Sequence, residues 1–516
     1  MIRTKPFSSA SLPRAAASLA LCALLGACAV GPDYQRPALD VGAAYKEGQV
    51  EVPGWKPAQP RDDADRGAWW KVYDDATLDG LLVQLNTSNQ TIAQAEANYR
   101  QALGLVRGAR SGFYPTVGAG AGMSRAGSGG QSGSSTGSGS NLSNQYSLTG
   151  SVSWELDVWG RVRRSVESSE ASAAASLADL GATRLSAQAA LVQTYLQLRV
   201  LDEQKRLLDA TVAAYEKSLK LTQNRYEVGV AGQADVAVAR TQLESTRAQS
   251  IDLDWQRGQY EHAIAVLMGQ APSQFSLPPA VFTLRLPQIP VGLPSELLER
   301  RPDVAAAERR AAAANAQIGV AQAAWFPSLT LSADGGFRNG EFAELLTAPA
   351  RFWSLGPALA LTIFDGGARE AQVEQARASY DSQAAAYRQA ALTGLREVED
   401  YLIQLRVMEQ EQIVQRRALE SARESLRLIQ NQYQAGLVDY LSVAVVDATA
   451  LSSERNALSL MGSRLVASVN LIVALGGGWE GLPVETASAA PASPAPANAA
   501  PTTPPRSDPA AGGAIR

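Results

Sequence analysis

Apolar and polar residues alternate along 146–158, where Leu148, Val152, Trp154, Leu156 and Val158 interleave with Ser147, Thr149, Ser151, Ser153, Glu155 and Asp157. A period of two predicts a strand with one greasy and one polar face. The same alternation returns at 353–365, with Leu355, Leu359, Leu361 and Ile363 against Ser354, Gly356, Ala358, Ala360 and Thr362. FYPTVGAGAGMSRAG (113–127) and the run from Ser328 to Gly335 read as two further strands. The pattern therefore predicts four strands, near 115–126, 146–158, 327–338 and 353–365. Beyond Gly160, and again beyond Gly366-Gly367, the pattern becomes Ala/Leu/Gln/Arg-rich and helical. No proline interrupts Thr116 to Ala271 or Ala358 to Leu482, so these helices are free to be very long. From Gly160 to about Glu227 one helix reaches ~100 Å at about 1.5 Å per residue. Gly229 and Gly436 stand where C-caps are expected, and new helical runs return toward Gly269 and Gly476.

The two halves are copies. A displacement of 207 residues carries Asn224 onto Asn431, QLR 197–199 onto QLR 404–406, VAV 236–238 onto VAV 443–445 and Gly269 onto Gly476. Upstream the displacement is 212, carrying Glu96 onto Glu308 and Pro115 onto Pro327. The five residues of difference sit in the Gly/Ser-rich loop of the first hairpin, within 127–144. Each unit is a strand pair joined to a long helical hairpin, and the chain is a duplication of it.

The remaining segments order the chain. Residues 1–27 read as an export signal, with Arg3, Lys5 and Arg14 before the apolar run 15–25. LGAC (25–28) resembles a lipobox, so Cys28 is the expected lipid attachment site and the mature N-terminus. Residues 28–75 read as an arm docked on a body, and helical periodicity begins near Thr77, a plausible N-cap, and continues to about Arg110. The first repeat spans 76–271, a Pro-rich linker 272–294, and the second repeat 295–482, with helix over 295–327. The Ala/Pro-rich tail 483–516 is expected to be disordered.

Composition removes most other functions. A net charge of −4 and a pI near 5.5 give no reason to expect a nucleic-acid partner. After removal of the signal Cys28 is the only cysteine, which leaves no disulfide and no thiolate metal cluster. His262 is the single histidine. The paired carboxylates Asp62-Asp63 and Asp74-Asp75 have no nucleophile or base beside them in sequence, and GSGG (127–130) lacks the lysine of a phosphate loop. The chain is expected to be no enzyme and to carry no cofactor beyond covalent lipid at Cys28.

The strands decide the architecture. Their apolar faces have the nine-to-eleven-residue length of tilted outer-membrane strands. Four strands cannot close a barrel, and an open edge in lipid leaves backbone groups unpaired, so other copies must complete it. Eight strands leave room only for side chains, so a pore favours three or more copies.

Cys28 with VGPDYQRP (30–37), WWKVYDDATLDGL (69–81), ERRPDV (299–304), the FYP/WFP pair and the QNRYEVG/QNQYQAG pair together resemble the outer-membrane efflux lipoproteins. Over Cys28 to about Gly481 the chain is similar to the NodT-type channel subunits of resistance–nodulation–division tripartite pumps. The resemblance implies an α+β membrane protein. Each chain of a homotrimer gives four strands to a twelve-stranded barrel in outer-membrane lipid, and its helical hairpins form a periplasmic α-barrel. The implied function is a passive exit duct for drugs or other small toxic solutes, fed by a periplasmic adaptor and an inner-membrane pump. A type I protein-secretion duct is the alternative, sharing the fold and differing in cargo. An adaptor would carry one hairpin, not two. The resemblance also places an aperture at the hairpin turns, with Arg225, Tyr226 and Asp235 in the first and Tyr433, Asp439, Tyr440 and Leu441 in the second. Two positions depart from the family pattern. Gln432 replaces an arginine, and Val445 stands where an aspartate is frequent, which points to a hydrophobic rather than a carboxylate ring there.

Overall fold

The computed structural model describes residues 30–39, 45–46, 68–128, 141–281, 286–287 and 300–477. Cys28, the signal stretch, residues 129–140 of the Gly/Ser loop and the tail lie outside the described residues, as do 282–285 and 288–294 of the linker. Seven α-helices and four strands are described: α1 (Ala76–Ser88), α2 (Gln90–Ser111), β1 (Thr116–Ser128), β2 (Asn141–Leu156), α3 (Arg161–Glu227), α4 (Gln233–Leu267), α5 (Pro302–Ala323), β3 (Ser328–Asn339), β4 (Arg351–Ala360), α6 (Ala368–Gln434) and α7 (Tyr440–Ala474). The duplication is metrically faithful. Helices α3 and α6 both have 67 residues, α4 and α7 both have 35, and α2 and α5 both have 22.

The long helices begin where a left-handed residue turns the chain out of the sheet. Gly160 (φ 82°) precedes α3 and Gly367 (φ 94°) precedes α6, a backbone region that glycine enters without steric cost. The helix-to-strand junctions are built from the FYP and WFP motifs. Trp154 Nε1 donates to Phe113 O at 3.0 Å, and Trp159 Nε1 donates to Pro327 O at 2.7 Å while stacking on Phe326.

The sheet is an antiparallel meander in the order β1-β2-β3-β4. Its register sorts the faces: Val117, Val152, Ala333 and Leu355 lie in one row, and Gly118, Ser151, Asp334 and Ser354 in the next. One face is apolar and the other is Gly, Ser, Thr and Asp, as the alternation predicts.

Helix α3 is the central support. It packs on α1, α2, α4, α5 and α7 and buries Leu191, Val192, Tyr195, Leu196 and Leu198 in mid-length. Its copy α6 buries only Ala384, Tyr387, Ala391, Gly394 and Val398. One side of α6 therefore has no partner among the described residues.

The N-terminal motifs dock on this body. Asn315 Nδ2 donates to Pro32 O at 2.9 Å, and the Arg164 guanidinium reaches Val30 O, Gly31 O and the Asp33 carboxylate within 3.2 Å. Gly31 passes so close to α5 that a Cβ there would lie 2.5 Å from Gly319 Cα. In the WWKVY turn Trp69 Nε1 donates to Gln188 at 3.1 Å, and Tyr73 OH lies 2.8 Å from Ser468 Oγ.

Four sequence expectations need correction. The first helical run is two helices, because Asn89 accepts from Thr91 N and Ile92 N, caps α2 and donates to Leu267 O. The cap of α1 is Asp75, not Thr77: its carboxylate accepts from Thr77 N and Leu78 N and, at 2.6 Å, from Tyr195 OH. Asp75 therefore has partners that its sequence neighbourhood does not reveal. Of the helix expected over 295–327, residues 295–299 lie outside the described residues; Arg300 is helical, the helix breaks at Arg301, and α5 runs from Pro302, whose ring suits a first helical position, only to Ala323. Finally, β4 ends at Ala360 rather than 365. Its partner β3 begins at Ser328, which pairs with Ala360, so Leu361–Ile363 find no ladder among the described residues.

Candidate functional site

The two hairpin turns, 228–232 and 435–439, lie at the same repeat position. Each helix that leaves them is capped by an aspartate, with the roles exchanged. In the first turn Asp235, three residues into the helix, accepts from Gly232 N at 2.9 Å. In the second, Asp439 is itself the N-cap and accepts from Ser442 N at 2.9 Å and Ser442 Oγ at 2.6 Å. The Ser442 hydroxyl and amide hold the Asp439 carboxyl below the usual carboxylate range, which favours the ionised, accepting form of this cap.

Tyrosine and arginine join the two hairpins. The Arg225 guanidinium of α3 lies 4.7 Å above the Tyr433 ring of α6. Tyr433 meets Tyr440 of α7 edge to face, with centroids 5.7 Å apart. Tyr440 is 3% exposed, packs with Ala239 of α4 and Ala444, and accepts from Ser218 Oγ at 3.2 Å. The Tyr433 hydroxyl is buried and has no hydrogen-bond partner among the described residues. Arg225, Tyr433 and Tyr440 are thus a seam between hairpins, built of one cation–π contact and one aromatic pair.

The remaining predicted residues stay apart from it. Tyr226 and Leu441 are exposed, as is Val445 at 59%. His262 is exposed on α4. Sequence reasoning missed Ser218, and it missed a second contact deeper in the hairpins, where Asp447 of α7 meets the Tyr215 hydroxyl of α3. Comparing the repeats would have marked this region. Tyr440 replaces Gln233 and Asp447 replaces Arg240 at the displacement of 207.

A four-stranded meander under two long helical hairpins is the geometry of a channel subunit, and comparison with known proteins agrees. The model of the family described as outer membrane efflux protein matches residues 81–270 and 293–477. The chain belongs to the outer membrane efflux protein family. It is 31% identical over 472 residues to the toluene efflux pump outer membrane protein TtgC of Pseudomonas putida, covering 90% of this chain and 95% of TtgC. It is 32% identical over 468 residues to the pyoverdine export outer membrane protein OpmQ of Pseudomonas aeruginosa, covering 90% of this chain and 96% of OpmQ. Among solved structures the outer-membrane channel OprN matches with a TM-score of 0.77 at 32% identity, covering 88% of this chain and all of OprN. This outer membrane efflux protein is accordingly an exit duct: its strands belong to the outer membrane and its helices extend into the periplasm.

Proposed function

We propose that three copies close the duct and that it passively conducts small toxic solutes, drugs included, received from a periplasmic adaptor and an inner-membrane resistance–nodulation–division pump. The observation that carries the closure is the pair of free sheet edges. Among the described residues strand β1 pairs only with β2 and β4 only with β3, while Trp353 is 82% exposed and Ile363 91%. Lipid does not tolerate an open edge. The cargo reading rests on similarity to channels named for toluene and for pyoverdine.

The duplication supplies the missing register. Strand β4 is β2 displaced by 207 residues, and β1 is β3 displaced back by 212. Carried over the β2–β3 ladder, Val152 opposite Ala333 becomes Leu359 opposite Ala121 of the next copy. Leu156 opposite Leu329 becomes Ile363 opposite Val117 of the next copy. In this ladder β4 recovers the residues to 363 that the sequence assigns to it. The test is a disulfide: Leu359→Cys with Ala121→Cys gives covalent dimers and trimers on a non-reducing gel, and Leu359→Cys with Ala119→Cys gives few. Equal yields, or none from the first pair, contradict the closure.

Two further roles belong to the same reading. Arg225, Tyr226, Asp235, Tyr433, Asp439, Tyr440, Leu441 and Val445 form the periplasmic aperture. Cys28 carries the acyl chains. The docking of Val30 N on Trp159 O at 3.2 Å, beside the ends of β2 and β3, supports the anchor. A Cys28→Ser variant is expected to lose metabolic palmitate label, and an unchanged label would remove the assignment.

A further inference from the structure

At the end of the sheet away from the helices, the β3–β4 connection is an ordered turn. Phe342–Glu344 form a single 3-10 turn, closed by Thr347 Oγ1 and Asn339 Nδ2, which donate to Glu344 O at 2.7 and 3.3 Å. The turn folds over β1 and β2, where Phe342 meets Tyr146 edge to face with centroids 5.5 Å apart. Beneath it is a cavity of about 750 Å³ lined by Ala121, Met123, Tyr146, Leu148, Leu345 and Leu346, a volume in the range of small-ligand sites.

Strand alternation identifies the face. Met123, Tyr146 and Leu148 share the apolar face with Val152, Trp154 and Leu355, the face an outer-membrane strand turns to lipid. The cavity is therefore an inlet in the lipid-facing surface, at the extracellular end. Two cations flank it on that same face. Arg125 lies one pleat (~7 Å) beyond Met123, and Arg351 lies on β4 opposite Phe337, itself the neighbour of Leu148. Both are exposed, and neither makes an ion pair among the described residues. The carboxylates nearby are Glu341 and Glu344, which also lack an ion pair among the described residues and sit on the turn itself. An anionic head group is consequently met at the strand ends and not over the turn.

We infer that the inlet holds an acyl chain of a phosphorylated glycolipid of the outer leaflet, with Arg125 and Arg351 meeting its phosphate. The assignment rests on the membrane orientation proposed above. A glycerophospholipid of the inner leaflet would present its phosphate at the opposite end of the sheet, beside α3 and α6.

Native mass spectrometry of the full-length protein in detergent, titrated with purified diphosphorylated lipid A, tests the inference. Lipid A adducts are expected on the parent, reduced at least ten-fold by Arg125→Gln with Arg351→Gln and by Leu346→Asp, and kept by Arg125→Lys with Arg351→Lys. Phosphatidylglycerol is expected to compete poorly. The mass of the oligomer in the same spectra reports assembly separately, so a protein that assembles yet takes up no lipid A overturns the inlet alone. Unchanged uptake by the glutamine pair, or equal uptake of phosphatidylglycerol, overturns it as well.

Discussion

Asp447 shows how much a single half-buried carboxylate can cost. It lies between α7 and α3 against the Tyr215 hydroxyl, which also accepts from Gln242 Nε2 of α4 at 3.0 Å. Burial pushes the Asp447 carboxyl above the usual range, the Tyr215 hydrogen bond opposes that, and Glu454 adds to it. Glu454 is itself paired with Arg423 of α6 at 2.7 Å. A carboxyl whose folded pKa is raised stabilises the fold while protonated, and that contribution fades as pH rises through the raised value. At neutral pH the group is therefore a net liability. Asp447→Asn is expected to raise Tm by roughly 2 °C at pH 7, with the difference closing below about pH 4, the ordinary aspartate range. Melting curves of parent and variant across pH measure this, and a constant offset at all pH values would contradict it. Nothing near Asp447 in sequence hints at Tyr215, 232 residues earlier. Tyr433 and Tyr440, in contrast, are legible because they sit in a repeated, recognisable turn.

At the scale of elements, the absence of proline and the paired glycines were enough to read α3, α4, α6 and α7 from sequence. What stayed hidden was decided by side chains that bond across the fold. The break at Asn89 exists because its amide donates to Leu267 O at 2.8 Å while its carbonyl caps α2, and neither act disturbs the helical period. The tip has the same character. The hairpins meet through Arg225 over Tyr433 and Tyr433 against Tyr440, contacts of about 0.5–1.5 kcal/mol each. Leaving the Tyr433 hydroxyl buried without a partner among the described residues costs ~1–3 kcal/mol. The seam is thus close to balanced, which suits the aperture role proposed for it. Replacing Tyr433 and Asp439 together by alanine removes the seam ring and the cap of α7. Conductance in planar bilayers is expected to rise several-fold over a low resting level. If it does not, the constriction lies in the exposed Val445 ring, and Val445→Ala is the variant that opens it.

For the whole molecule, the shortfall of β4 is the most informative departure from the sequence pattern. Alternation continues to Ile363, yet the ladder stops at Ala360, and Ile363 and Phe364 are 91% and 87% exposed. Free Ile and Phe at that exposure, beside a strand edge, describe a surface finished by another chain, just as α6 leaves unburied the side that α3 covers. The register derived from the repeats makes this testable without touching any contact inside one chain. Along an antiparallel strand successive N–H groups point to opposite sides, so of Thr362 and Ile363 one faces β1 of the next copy and the other faces the empty end of β3. Proline removes the N–H at either site. Thr362→Pro and Ile363→Pro should therefore fold alike, with equal helical circular dichroism, and differ in assembly. One of them should lose at least ten-fold of its trimer by light scattering in detergent, and the other should match the parent. If both assemble, β4 closes no ladder beyond Ala360. If neither does, a steric requirement at this corner, rather than a shared ladder, holds the copies together.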